Sequence, residues 1–171
     1  IVATILVLFD SRGGLTEQLA TAVAEGAGSV PGAEVRFRRA EETPVEELAD
    51  CDALILGSPN YSGVTGKLKS WMDHAWKLWE SGALNGKVGG AFTAGWSRSA
   101  GSEATLLQLL HLLLAHGMIV VGLPWSERMR ISGSYYGATA GGQVTDDDRE
   151  QARDLGRRVA ETAVRLFGPI T

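Results

Sequence analysis

Ser11, Arg12, Gly13, Gly14 and Thr16 bring two hydroxyls, a guanidinium and a pair of glycines together between an apolar run and a helical one. These residue types at this spacing suit an anion. Unpaired backbone N–H groups at a helix start aim at one point, the helix dipole favours negative charge there, and Gly13-Gly14 permits a turn that side chains forbid. The stretch lacks the G-x-x-x-x-G-K-[ST] of a nucleotide triphosphatase, and so the lysine that meets a β- or γ-phosphate. It also lacks the dinucleotide pattern G-x-G-x-x-G. A loop of amides and hydroxyls with one arginine suits a single terminal monophosphate, such as that of FMN. The plain alternative is a tight turn between strand and helix. Asp10, a possible phosphate-accepting or metal-binding carboxylate, has no partner acid pattern.

Positioning such a loop takes a strand before it and a helix after it. Ile1 to Phe9 is almost continuously apolar and rich in β-branched residues, as in a central parallel strand covered on both faces. Leu15, Leu19, Ala22, Val23 and Gly26 then recur at helical spacing. Ala33 to Arg38 alternates like an edge strand, and Glu41 to Asp50 predicts a short surface helix. Asp52 to Gly57 is a buried strand ending in a second loop, Ser58-Pro59-Asn60-Tyr61-Ser62-Gly63. From Thr65 the spacing of Leu68, Trp71, Met72, Ala75, Leu78 and Trp79 predicts one amphipathic helix to near Gly82. Lys87 to Thr93 is a further strand, followed by a third loop containing Ala94, Gly95, Trp96, Ser97, Arg98 and Gly101. Ser102 is placed to cap a helix that runs to His116 and stops at Gly117. Met118 to Val121 reads as a short strand, and Gly122 to Val144, with Trp125, Tyr135 and Tyr136, as a long functional or interface loop. Thr145-Asp-Asp-Asp148 opens the last helix as a capping arrangement.

This alternation predicts an α/β fold: a five-stranded parallel sheet in the order 2-1-3-4-5 with helices on both faces, a three-layer sandwich formed by residues 1–171 as one domain. In that order ligands bind outside the carboxyl ends of the strands, at the switch point between the first and third. Three loops meet there, one suited to phosphate and two carrying Tyr61 and Trp96. A flat ring attached to a phosphate would use all three.

The totals narrow the partners. A formal net charge of −4 over 171 residues argues against nucleic acid. The apolar region from Leu106 to Leu123 is interrupted by Gln108, His111, His116 and Gly117, which argues against membrane insertion. No signal peptide is visible, and the lone Cys51, expected to pack at a strand start, fits a reducing cytoplasm. No His, Cys, Asp and Glu cluster has metal-ligand spacing, so no metal site is expected, and no nucleophile has an evident base.

Several segments carry a resemblance across nearly the whole chain: the phosphate loop, Gly-Ser-Pro-Asn-Tyr at 57–61, Leu78-Trp-Glu-Ser-Gly-Ala-Leu-Asn-Gly-Lys87, Leu114-Ala-His-Gly-Met118 and Tyr136-Gly-Ala-Thr139. Together they resemble the flavodoxin-like NAD(P)H:quinone oxidoreductases of the tryptophan-repressor-binding-protein family. The resemblance implies non-covalent FMN, with Ser11, Arg12, Gly13, Gly14, Leu15 and Thr16 on its phosphate. Ser58 to Gly63 and Thr93 to Gly101 would flank the isoalloxazine. It further implies His116 at the flavin and substrate site, Trp79 bordering the substrate pocket, and a homotetramer in which a neighbouring subunit completes each site. NADH or NADPH is then the hydride donor and a quinone the acceptor, in a ping-pong reaction. The chain departs from the family where Gly13 and Leu15 replace a usual Tyr and His. It departs again in its second loop, in its bulkier third loop with Trp96 and Arg98, and in lacking an insertion after the second strand.

Some roles have two readings. His116 is either the group at the flavin or a helix C-terminal histidine favoured by the dipole. His111 and His74 read as structural or surface residues. Trp71 and Met72 fit the core, and Trp79 lies on the same stripe. Trp96 sits in a loop without periodicity, as a pocket-lining ring would. Arg98 either meets a nicotinamide phosphate or is a solvated charge. Trp125, Tyr135 and Tyr136 either cover a neighbour's flavin or close the chain's own sheet edge. A flavodoxin-type carrier passing single electrons between proteins is the second functional class, and a flavin-free adaptor on the same fold the third.

Overall fold

The computed structural model describes residues 2–11 and 14–168. Its sheet is built from β1 (Ala3–Phe9), β2 (Ala33–Arg39), β3 (Ala53–Pro59), β4 (Val88–Gly95), β5 (Ile119–Val120) and β6 (Ala138–Gly141). All pair in parallel in the expected order β2-β1-β3-β4-β5, with β6 also on β4. The helices are α1 (Leu15–Gly28), α2 (Gly66–Asp73), α3 (Trp76–Ser81), α4 (Ser102–Ala115) and α5 (Asp146–Phe167).

The period of two in β1 sorts its side chains onto two cores. Ile5, Val7 and Phe9 pack with Leu19 and Val23 of α1 and Leu155 and Val159 of α5. Leu6 and Leu8 pack with Leu68 and Met72 of α2 and Leu106, Leu109 and Leu113 of α4. On the first face α1 and α5 approach until their backbones touch: a Cβ on Gly26 would lie 1.9 Å from the Arg153 carbonyl oxygen, and one on Gly156 1.9 Å from that of Val23. Cys51 is buried before β3, where burial pushes its thiol pKa up to about 11.

Four local expectations are corrected. The fifth strand is split: β5 pairs with the start of β4, the chain leaves the sheet, and β6 returns beside the end of β4, with Phe92 opposite Ala138. The segment 122–144, expected to be a loop, therefore holds a sheet strand, and the sheet has six strands rather than five. The helix expected from Thr65 to Gly82 breaks after Asp73. His74 Nδ1 contacts the Ser70 carbonyl, Ala75 is buried in the second core, and α3 follows with none of its residues buried. The surface helix expected at 41–50 is instead two 3-10 segments, Ala40–Glu42 and Val45–Asp50, separated where the Thr43 hydroxyl donates to the Arg39 carbonyl. Ser102 is not a cap: Gly101, at φ 84°, begins α4, and the Ser102 hydroxyl is buried without a partner. The Thr145–Asp148 capping box is formed as expected.

Candidate functional site

The carboxyl ends of β1, β3 and β4 carry the three loops to one side of the sheet. Between them lies a cleft of about 320 Å³, lined by Leu15, Thr16, Pro59, Tyr61, Ala94, Gly95, Trp96 and Gly142. This is the switch point, where β1 is flanked by β2 and β3. Two larger hollows, of about 460 and 510 Å³, lie beside α2.

At the phosphate end, Gly14 starts α1 in the left-handed conformation and supplies no side-chain cap, so the first-turn amides keep their donors. The Ser11 hydroxyl is buried with no hydrogen-bond partner. An unmet buried hydroxyl beside unmet helix amides is the donor set a phosphate would satisfy. Arg12 and Gly13, expected in this cradle, lie outside the described residues. Glu17, the acid of the first turn, is held by Arg39. Tyr61 and Trp96 both line the cleft, and Trp96 is 86% exposed.

The second loop ties itself to the third. Asn60 is buried, and its Nδ2 donates to the Ala100 carbonyl at 2.6 Å. Its Oδ1 accepts from the Thr105 hydroxyl at 2.8 Å and from the Gly63 amide at 3.4 Å. The Asn60 side chain thus acts as a bridge between loops, and its backbone amide donates to the Ala94 carbonyl at 2.8 Å. Ser62 is the one non-glycine at positive φ among the described residues, 53°, between Tyr61 and Gly63. Thr93 is fully buried and donates to the Ser58 carbonyl. Arg98 is not a free charge: its fork meets Asp148 at 3.0 and 3.3 Å. Burial opposes the charge of Asp148, but hydrogen bonds from Arg98, Ser132 and the Thr145 amide outweigh it and hold its pKa below the ordinary value.

His116 and Trp79 lie elsewhere. The 14-residue α4 starts beside the third loop and runs about 21 Å back along the sheet. His116 therefore ends at the opposite edge, where Gly86 donates to Gly117 and Ile119 to Lys87. There it lines a cleft of about 190 Å³ with Trp76, Trp79, Met72 and Leu112. Trp79 is 58% exposed, so the core reading of this residue fails. Burial lowers the pKa of His116, which keeps the ring neutral, and its Nδ1 has no partner. The structure brings Trp79 and His116 together, as a pair apart from the loops of their own chain.

Two site residues were missed in the sequence. Gly142 lines the cleft from the end of β6, and its signal was the small-residue run Ala138 to Gly142. Trp76 joins Trp79, one helical turn away, in the second cleft. Among the described residues no group of three His, Cys, Asp or Glu could hold a metal ion, and no helix is long and apolar enough to cross a membrane.

A parallel sheet in this order with loops gathered at its switch point defines a flavodoxin-like protein. A WrbA-like flavodoxin structure from Agrobacterium tumefaciens superposes with a TM-score of 0.77 at 31% identity, covering 95% of this chain and 98% of that one. A flavodoxin from the domain Archaea superposes with a TM-score of 0.73 at 22% identity, a likeness of fold alone. Residues 41–127 match the model of the NADPH-dependent FMN reductase family. An NAD(P)H dehydrogenase (quinone) of Archaeoglobus fulgidus is 43% identical over 96% of this chain and 99% of its own length. One from Cupriavidus metallidurans is 40% identical over 96% and 98%. The chain belongs to this family of flavodoxin-like NAD(P)H dehydrogenases (quinone), in agreement with the resemblance read from its motifs.

Proposed function

We propose that the protein is an FMN-dependent oxidoreductase that takes two electrons from NADH or NADPH and delivers them to a quinone in a ping-pong cycle. The observation that carries this reading is the cleft at the switch point, with unmet donors at one end and two aromatic side chains along it. FMN, when bound, supplies the two-electron exchange between nucleotide and quinone; the chain binds and orients it. The Ser11 hydroxyl and the first-turn amides of α1 hold the phosphate, joined by Arg12, Gly13, Gly14, Leu15 and Thr16. Pro59, Asn60, Ser62, Gly63, Thr93, Ala94, Gly95, Ser97 and Gly101 shape the ring site through backbone, and Tyr61 and Trp96 flank the ring.

His116 serves as a proton donor or acceptor through its unpaired Nδ1, at a site it reaches only from another subunit. Trp79 borders the quinone pocket in the same way. This reading calls for more than one subunit, because one chain alone holds the two halves at opposite edges of its sheet, and the family resemblance makes the assembly a homotetramer. A reducing cytoplasm suits the single buried thiol.

The test is anaerobic mixing of the FMN-loaded protein with NADH or NADPH, followed at the flavin absorbance maximum, and then addition of benzoquinone. Full bleaching and recovery on adding quinone are expected. A flavin that binds but stays oxidised with both nucleotides overturns the enzyme reading and leaves an electron carrier. Protein that stays colourless with FMN overturns both and leaves an adaptor.

A further inference from the structure

We propose that Arg98 and Asp148 are a positioning pair that clamps the third loop and so holds Trp96 at the mouth of the FMN cleft. This rests on FMN occupying that cleft, and it replaces both sequence readings of Arg98.

The geometry is asymmetric. The Asp148 side chain is fully buried, whereas Arg98 is partly exposed, so a rigid interior anchor reaches out to a surface loop. Asp148 is itself fixed from three sides. It accepts from the Ser132 hydroxyl at 2.5 Å and from the Thr145 amide at 2.9 Å, and its own amide donates to the Thr145 hydroxyl at 3.2 Å. A bidentate guanidinium–carboxylate contact fixes direction as well as distance, which a single ammonium contact does not.

A second tether sits two residues on, where Asn60 donates to the Ala100 carbonyl. The loop backbone also rests on β6: a Cβ on Gly141 would lie 2.4 Å from the Arg98 nitrogen, and the Gly142 amide donates to the Gly95 carbonyl at 2.8 Å. Trp96 is the large side chain carried between these fixed points. A tryptophan so exposed has no packing of its own to hold it, and the neighbouring Ser97, Ser99, Ala100 and Gly101 supply little. Its place over the cleft therefore depends on the clamp. The charge of Arg98 is thus already paired with a buried carboxylate, which argues against its being the phosphate contact that would separate NADPH from NADH.

The test is a double-mutant cycle on FMN affinity, using the apo form of the full chain and quenching of FMN fluorescence. Arg98→Gln and Trp96→Ala are each expected to weaken FMN about tenfold, and the double variant no further than either one, because Arg98 acts through Trp96. Arg98→Lys, which keeps the charge but loses the fork, is expected to fall between wild type and Arg98→Gln, and it carries the test if the glutamine variant does not fold. The KM ratio of NADPH to NADH is expected to stay unchanged. Unaltered FMN affinity in Arg98→Gln, additive losses in the double variant, or a selective rise in the KM for NADPH each overturns the proposal. A wild-type chain that does not bind FMN overturns it together with the function on which it rests.

Discussion

The two edges of the sheet are built on opposite rules. At the carboxyl edge, loops with little packing of their own are tied down by hydrogen bonds: Asn60 to Ala100 and Thr105, Arg98 to Asp148, Thr93 to Ser58. At the amino edge two tryptophans stand in solvent on the short α3, beside a buried histidine whose Nδ1 has no partner. The first edge is held in place by bonds within one chain. The second has the composition of an interface, aromatic anchors around a polar group that lacks a mate. Buried polar atoms are normally satisfied, so the orphaned Ser11 hydroxyl at one edge and the orphaned His116 Nδ1 at the other are what the proposed function assigns to a phosphate and to another subunit.

Substitutions can break that contrast or sharpen it. The largest effect is expected from replacing Trp76 and Trp79 together by alanine. An aromatic interface anchor is worth about 2 kcal/mol or more, roughly thirtyfold in a dissociation constant, so sedimentation should show smaller species and quinone turnover should fall. FMN affinity should not change, and a loss of FMN would erase the separation of the two edges. Next comes Gly141→Ala, whose Cβ meets loop backbone rather than a movable side chain. We expect FMN to bind about tenfold more weakly, a cost of about 1.4 kcal/mol at the cleft, with the assembly intact.

His116 gives a pH-dependent signature. Its folded pKa lies below the ordinary histidine value, so the unfolded chain takes up the proton first as the pH falls. Its contribution to stability is full above the ordinary value, declines as the pH drops through it, and is lost below the folded value. Thermal melts from pH 7.5 to 5 should show His116→Gln losing less stability than wild type as the pH falls, and parallel losses would refute the lowered pKa. The smallest effect belongs to Thr145→Ala, which removes the cap of α5 but leaves Asp148 with Arg98 and Ser132. A loss of about 1 kcal/mol is expected, roughly 3 °C in Tm, with FMN affinity nearly unchanged.

The order of the sheet was legible because its central strands are unbroken apolar runs that each feed a helix, a local pattern with few topological solutions. The turn from β1 into α1 was legible for the same reason, since the strand, the glycines and the helical spacing follow one another directly in the sequence. The break at His74 was not, because the apolar spacing continues through it although the helix ends at Asp73 and a new one starts at Trp76. Nor was the return of β6, whose alanines and glycines carry no strand signal and are held only by their pairing with β4. Arg98 stayed ambiguous because its partner is 50 residues away and already had a sufficient local role in the capping box. The position of His116 follows from direction alone: a helix leaving the carboxyl edge ends at the other one.

The divided fifth strand has a consequence for solubility. A sheet edge presents a row of unpaired backbone groups that another chain can extend into a fibre. Here one edge is broken into runs of two and four residues separated by a long excursion, and the other, β2, carries Glu34, Arg36, Arg38 and Arg39. Neither edge offers a long, uncharged template, so the same excursion that reshapes the site also guards the protein against polymerising strand by strand.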